Sequence, residues 1–168
     1  VQAAAYSTFL TNIEPYQFDI LIYDGTDSTV QTAYVSFIKR MCEENGKWCQ
    51  LVASGLTNPD SNYVINVQNG VILDDGTTLT PAQVTWWLGG AEAGASYNES
   101  LTYANYPNAV DASPKLTNSQ LIAGITAGNI VLAEEFGAVK VMQDINSLIT
   151  YTPDKGEVFH KNRVMRLC

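Results

Sequence analysis

The run Phe18-Asp19-Ile20-Leu21-Ile22-Tyr23 is almost continuously apolar, which is typical of a strand buried on both faces of a parallel sheet. Asp24-Gly25 follows as a turn, and Asp27 or Ser28 is placed to cap a long helix. From residue 30 to residue 41, apolar side chains recur at the three- and four-residue spacing of a helix packed on a sheet. A second strand at residues 50–53 would complete a strand–helix–strand unit with a right-handed crossover.

Turn and capping signals divide the rest of the chain. Asn69-Gly70 is a favoured hairpin turn and predicts that the apolar runs on either side pair with each other. Thr80-Pro81-Ala82-Gln83 and Thr117-Asn118-Ser119-Gln120 are capping boxes, each of which predicts the start of a helix. Strands are expected around Phe136-Gly137, whereas residues 94–116 show no clean period and predict a long irregular segment. The predicted fold class is α/β, a mostly parallel sheet with helices on its faces, plus β-hairpins.

Charge is sparse and unevenly distributed. Hydrophobic residues make up 46% of the 168 residues and charged residues 15%, with a net charge of −8. Residues 1–154 carry five basic and sixteen acidic side chains, whereas residues 155–168 carry a net charge of +3. The acidic balance argues against a nucleic-acid partner. No apolar run is long enough to span a bilayer, so we expect no membrane insertion.

Signals for catalysis are absent from the sequence. His160 is the only histidine and is expected at the surface, so no Ser-His-Asp site is expected. No zinc-ligand spacing and no phosphate-binding glycine loop occur. The three cysteines, Cys42, Cys49 and Cys168, are an odd number, which fits a reducing compartment, and Cys42 is expected in the core. The sequence therefore predicts a protein that is not an enzyme and needs no cofactor.

One short motif suggests a binding site at the end of the first strand. Asp24, Thr26 and Ser28 match the Asp-x-Ser/Thr-x-Ser spacing of a metal-dependent adhesion site, whose oxygen ligands could hold Mg²⁺. A strand-to-helix turn with a capping residue selects the same residue types and explains them without a metal. An adhesion or binding module is therefore the alternative function.

Adjacent tryptophans suggest a contact surface. In a helix that starts at Thr80, one of the two rings of Trp86-Trp87 should enter the core and leave the other near the surface. We expect Trp86 to be a candidate interface residue, because exposed tryptophans often anchor protein–protein contacts.

Five ordered motifs in the second half resemble a known family. They are PAQVTWWLGGAEAGA (81–95), NESLTY (98–103), DINSL (144–148), DKG (154–156) and FHKNRVMR (159–166). In this order they are similar to contractile tail sheath proteins of myophages and of phage-like elements of Gram-positive bacteria. The resemblance implies an α/β core likened in shape to subtilisin but without its catalytic triad.

The resemblance also implies a function. Sheath subunits polymerise around a tail tube, and a trigger at the baseplate makes the sheath contract and drive the tube through the host envelope. The implied partners are other sheath copies, the tail tube protein, and the baseplate and tail terminator proteins. The implied location is the virion tail, after assembly in the host cytoplasm. No nucleotide is consumed, because subunits move to a better-packed arrangement.

The same resemblance suggests domain limits and an interface. Residues 1–143 would form the core domain of the subunit, and residues 144–168 would begin its C-terminal domain. The terminal arms that join neighbouring subunits in the family have no counterpart in the sequence, so we expect a fragment that is a monomer by itself. The basic residues of the final segment are expected to meet an acidic face of a neighbouring subunit or of the tube: Lys155, Lys161, Arg163 and Arg166.

Overall fold

The computed structural model describes residues 3–154, 156 and 160–165. Its helices are α1 (Ala3–Ile13), α2 (Ser28–Glu43), α3 (Pro81–Gly94), α4 (Asn118–Thr126) and α5 (Asn162–Met165). Its strands are β1 (Ile20–Ile22), β2 (Gln50–Ser54), β3 (Val64–Val67), β4 (Gly70–Leu73), β5 (Thr78–Leu79), β6 (Ala109–Ser113), β7 (Asn129–Ile130), β8 (Leu132–Glu135) and β9 (Ala138–Val141). None of the helices in the described ranges has the length and apolar character needed to cross a bilayer.

A parallel sheet in the order β1-β2-β3-β7 forms the centre of the fold. Side chains alternate between its two faces, so Leu51 and Val64 pack under α1 and α2, whereas Val52 and Ile65 face α3. The two faces thus build two hydrophobic clusters with helices over each. The predicted α/β fold class, with a mostly parallel sheet between helices, is confirmed.

The first strand is less buried than its sequence predicts. β1 has three residues and lies at the edge of the sheet, where Ile22 remains 36% exposed, while every residue of β2 is buried. The prediction of a strand buried on both faces is therefore wrong for β1. An apolar run reports side-chain hydrophobicity but not whether a neighbouring strand covers each side of the strand.

The predicted helix after β1 is confirmed. Asp27 is its N-cap, and its carboxylate accepts hydrogen bonds from the backbone N–H groups of Thr29 (2.8 Å) and Val30 (3.2 Å). The apolar stripe of α2 lies against the sheet and includes Val30, Tyr34, Phe37, Ile38 and Met41.

The hairpin predicted at Asn69-Gly70 does not form. β3 stays in the parallel sheet, whereas β4 leaves it and pairs antiparallel with β5 and β6. The Asn69 side chain is buried, donates to the carbonyl of Leu132 (2.8 Å) and accepts from the Leu132 N–H (2.9 Å). A β-carbon at position 70 would overlap the carbonyl oxygen of Leu79, so the close approach of β5 explains the glycine. At the Asn-Gly pair the chain thus leaves the parallel sheet and enters the antiparallel sheet of β4, β5 and β6.

Two antiparallel sheets complete the fold. One has the order β5-β4-β6, and the other is the β8–β9 hairpin, which turns at Phe136-Gly137 as predicted. The segment 94–116 is not irregular throughout, because it contains β6 and contributes Leu101 and Tyr106 to the core. The strand β6 is short and its burial does not alternate regularly, so the sequence shows no period of two there.

Candidate interaction surfaces

The turn after β1 carries the three residues of the candidate metal site. The Asp24 carboxylate accepts a 3.0 Å hydrogen bond from the indole N–H of Trp86, and Thr26 and Ser28 are exposed. The neighbouring Asp27 carboxylate is engaged as the α2 cap. Within the described ranges, no group of three or more His, Cys, Asp or Glu side chains is placed to hold a metal ion. The turn geometry follows from helix capping, and the metal site stays a prediction.

The two tryptophans of α3 face opposite environments, as predicted. Trp87 packs against Tyr106, with ring centroids 4.7 Å apart, beside the core cluster on the α3 side of the sheet. Trp86 is 53% exposed, and its bond to Asp24 ties the outer face of α3 to the end of β1. The assignment of Trp86 to an interface stays a prediction.

The basic residues of the final segment are only partly described. Lys161 is exposed, and its Nζ lies 3.5 Å from Oε1 of Gln143. Arg163 belongs to α5, but its side chain lies outside the described part, as do Lys155 and Arg166 altogether. Their role at an interface stays a prediction.

His160 is buried, so its prediction as a surface residue is wrong. Its carbonyl oxygen accepts a 3.0 Å hydrogen bond from the N–H of Asn146, and Lys161 forms a bridge with Ile145. The segment around His160 therefore returns to the body of the domain, which a lone histidine in a basic stretch does not indicate.

A buried polar network holds this returning segment. The Asn162 side chain, which has no exposed surface, donates to the Glu92 carboxylate (3.2 Å) and accepts from Gln50 (3.3 Å). Gln50 also donates to the carbonyl of Asn62 (3.0 Å), and the amide of Asn62 lies 3.4 Å from the sulfur of Met165. The network joins β2, α3 and α5. Buried polar groups far apart in the sequence give no local signal, so it was not predicted.

Hydrogen bonds also hold residues 147–150 against the rest of the domain. The Asp60 carboxylate accepts from the backbone N–H groups of Ile149 (2.8 Å) and Thr150 (2.9 Å). The hydroxyl of Ser147 donates to the carbonyl of Ser61 and accepts from its N–H. These contacts connect the loop before β3 to the chain that follows β9.

Two of the motifs that carry the resemblance contact each other. The buried carboxylate of Asp144 accepts from the N–H of Leu101 (3.0 Å), and the N–H of Asp144 donates to the hydroxyl of Thr102 (3.0 Å). The motifs at residues 98–103 and 144–148 therefore form one structural unit.

An aromatic group lies where α1 packs against α2 and the residue that follows β1. Tyr6 lies edge-on to Tyr23 (5.6 Å) and Tyr34 (6.1 Å), and Phe9 stacks on Tyr34 at 6.5 Å. Burial, with help from the neighbouring tyrosines and Asp24, raises the pKa of Tyr34 to about 12. We call the depression formed by Ala5, Tyr6, Phe9 and Tyr34 the aromatic hollow; its volume is about 460 Å³.

The two described cysteines lie side by side between α2 and β2. Cys49 is buried and Cys42 is half-buried rather than fully inside the core, with their sulfur atoms 3.8 Å apart and not bonded. The Cys42 contact and then burial raise the pKa of the Cys49 thiol far above its usual range. Cys168 lies outside the described residues.

Comparison with known proteins identifies the fold. The sheath tail protein of Desulfitobacterium hafniense is 42% identical, has a TM-score of 0.97, and is matched over 99% of this chain and 40% of that one. The Bacillus subtilis protein named Phage-like element PBSX protein XkdK is 34% identical over 165 residues, 96% of this chain and 35% of its own. The helical sheath of the anti-feeding prophage shares the fold alone, with a TM-score of 0.68 at 15% identity over 98% of this chain and 47% of that one.

A family model also matches most of the chain. The chain spans about a third of the length of the curated relatives that it matches. The family model described as phage tail sheath protein central domain matches residues 1–147. The chain belongs to the phage tail sheath protein family, a family of structural proteins.

Proposed function

We propose that this domain is the structural body of a contractile tail sheath subunit. The observation that carries the proposal is the 42% identity and TM-score of 0.97 to a sheath tail protein over 99% of the chain. Its fold is also that of a sheath solved in a contracted helical state. In a full-length subunit, copies of the domain polymerise around a tail tube and contract to drive the tube through the host envelope.

The work of contraction comes from contact energy and not from catalysis. His160, the only histidine in the sequence, is buried against the segment around Asn146, where it is poorly placed to serve as an open catalytic base. A set of packed domains with two stable arrangements can store and release free energy without a chemical step. The domain is therefore proposed to have no enzymatic activity and no cofactor.

The proposed partners follow from that role. They are other sheath copies, the tail tube protein, and the baseplate and tail terminator proteins, with assembly in the host cytoplasm and a final place in the virion tail. The net charge of −8 disfavours a nucleic-acid partner. The exposed Lys161 supports a polar contact with an acidic partner surface.

The C-terminal domain of the subunit is proposed to begin near residue 144. Supporting this limit, the described residues beyond it add no strand to the central sheet, although Ile145 and Ser147 still contact the core and β3. In this proposal Lys155, Lys161, Arg163 and Arg166 stand at the start of that domain, where they reach a neighbouring subunit or the tube.

Electron microscopy of the full-length protein, expressed with its tail tube protein, tests the proposal. We expect hollow tubes with the width of a phage tail, in a long form and a shorter, wider form. The 168-residue domain alone is expected to be a monomer in light scattering. Full-length protein that stays monomeric with the tube protein present would reject the sheath assignment.

A further inference from the structure

The tip of the β8–β9 hairpin presents a bare aromatic ring. Phe136 is 99% exposed, and its only described ring contact is the Lys140 ammonium, 5.6 Å from the ring centroid. A phenylalanine ring that stays exposed gains almost no burial from folding, so its side chain adds little to the stability of the domain.

The backbone at the tip makes this residue choice more unusual. Phe136 and Gly137 have φ angles of 54° and 81° and form a two-residue turn between Glu135 and Ala138. Such a turn strongly favours asparagine, aspartate or glycine at its first position, because other side chains are strained at positive φ. The position therefore combines backbone strain with an exposed ring, a departure from local preference that is common at functional sites.

The aromatic hollow is a receptor of matching chemistry. It is apolar and open to solvent, and three of its four lining residues are aromatic: Tyr6, Phe9 and Tyr34. Asp24 and Asp27 lie close enough to raise the pKa of Tyr23, after burial and the contribution of Tyr6. A ring that arrives with a lysine ammonium beside it would thus meet aromatic faces next to carboxylates.

Phe136 at the tip of the hairpin cannot reach the aromatic hollow of its own chain. β8 and β9 contribute to the core cluster on the α3 side of the central sheet, whereas α1 covers the opposite cluster. A contact between two different surfaces of identical copies is heterologous, and it builds rings or helical arrays instead of closed two-fold dimers. This is the symmetry that a tubular assembly requires.

We propose that Phe136 of one copy inserts into the aromatic hollow of a neighbouring copy, with Lys140 beside it facing Asp24 and Asp27. The inference rests on the proposed sheath function, since it requires copies arranged head to tail. It assigns a partner to two surfaces that are exposed in this domain. Phe136 then stabilises the assembly and not the domain.

The Phe136→Asn variant separates these two effects. Asparagine tolerates positive φ, so the domain should keep or gain resistance to urea. In the full-length protein the same change should raise the concentration needed for tube formation roughly tenfold or more, since a buried aromatic anchor is lost. Tyr103→Asn is the matched control, because Tyr103 is also an exposed aromatic at positive φ (58% exposed, φ 64°). Equal losses of assembly in both variants, or none with Phe136→Asn, would overturn the proposal.

A photo-cross-linking phenylalanine analogue at position 136 locates the receptor. In tubes of the full-length protein, mass spectrometry should place the cross-link on residues 3–13 or on Tyr34 of another copy. A cross-link to any other surface, or none in tubes that form, would overturn the insertion while leaving the sheath function intact. If the unmodified full-length protein forms no tubes, the proposed function fails first and the inference falls with it.

Discussion

The indole N–H of Trp86 donates a 3.0 Å hydrogen bond to the carboxylate of Asp24, joining an exposed tryptophan on α3 to the end of an edge strand. The contact connects two residues that the sequence suggests for separate roles, one at a protein interface and one at a metal site. It also occupies one oxygen of the only carboxylate in the Asp24, Thr26 and Ser28 motif.

We expect no tight magnesium binding at this turn. One oxygen of Asp24 accepts from Trp86 and one oxygen of Asp27 from the start of α2, and within the described residues no third acidic side chain joins them to complete a set of metal ligands. Calorimetric titration with MgCl₂ should give the same weak response for the unmodified domain and for Asp24→Ala. Tight binding that Asp24→Ala abolishes would instead establish the adhesion-site alternative.

Local signals predicted the parts of the fold that depend on neighbouring residues. Thr80 and Thr117 each accept from the backbone N–H three residues on, as their capping boxes indicate. The α2 stripe and the Phe136-Gly137 turn are likewise set by short-range spacing. Helix starts and tight turns are local structures, so a sequence alone can specify them.

Pairing between distant segments was not predictable in the same way. Asn69-Gly70 has the composition of a hairpin turn, but Asn69 instead bonds the backbone of Leu132, 63 residues away. The Glu92–Asn162–Gln50 network likewise joins three elements that share no local pattern. Tertiary contacts override a turn preference when they satisfy buried polar groups that would otherwise be unpaired.

Asn69→Ala should destabilise the domain by about 2 kcal/mol or more. It would leave the buried N–H and carbonyl of Leu132 without their two hydrogen bonds to Asn69, and the carbonyl of Pro114 without a third. Urea unfolding followed by tryptophan fluorescence measures the loss. The exposed Asn98→Ala is the control and should change stability by no more than about 0.5 kcal/mol. Equal stabilities for the two variants would show that the Leu132 bonds are not needed.

Two adjacent glycines in α3 should respond differently to alanine. A β-carbon at Gly90 meets open space, so Gly90→Ala should stabilise the domain by about 1 kcal/mol through helix propensity. A β-carbon at Gly89 would lie 2.5 Å from Cδ1 and Cγ1 of Ile22. Overpacking costs about 1–3 kcal/mol, which exceeds the same helix gain or offsets it. Thermal unfolding of the two variants tests this prediction. A Gly89→Ala domain as stable as the Gly90→Ala domain would mean that β1 moves aside at no cost in free energy.

The contribution of Asp60 should depend on pH. Burial acts to raise the pKa of Asp60, but hydrogen bonds from the Thr150 side chain and from the N–H groups of Ile149 and Thr150 outweigh it, so the pKa is lowered. A carboxyl with a lowered folded pKa stabilises the fold above its unfolded pKa of about 3.9, and that stability is lost as pH falls through the folded value.

Asp60→Asn should therefore lower the urea midpoint at pH 7, and the difference from the unmodified domain should shrink at pH 3. Asparagine is a suitable replacement because position 60 has a positive φ of 39°. Asp154→Asn, at an exposed loop position, is the control and should leave the midpoint unchanged. A deficit for Asp60→Asn that is as large at pH 3 as at pH 7 would attribute the effect to shape and not to charge.

Asn162→Ala should release the returning C-terminal segment. It removes the donor to Glu92 and the acceptor for Gln50 inside a buried site, so the expected loss of stability is about 1–3 kcal/mol. The Asn146 N–H, which donates to the His160 carbonyl, should then exchange with deuterium faster than the amides of β2. Lys161→Ala is the matched neighbour, because its side chain is exposed and, among the described residues, its hydrogen-bond partner is Gln143. If both variants leave exchange at Asn146 unchanged, apolar contacts such as those of Met165 hold the segment. The polar network would then determine which residues face each other without contributing to the stability of the contact.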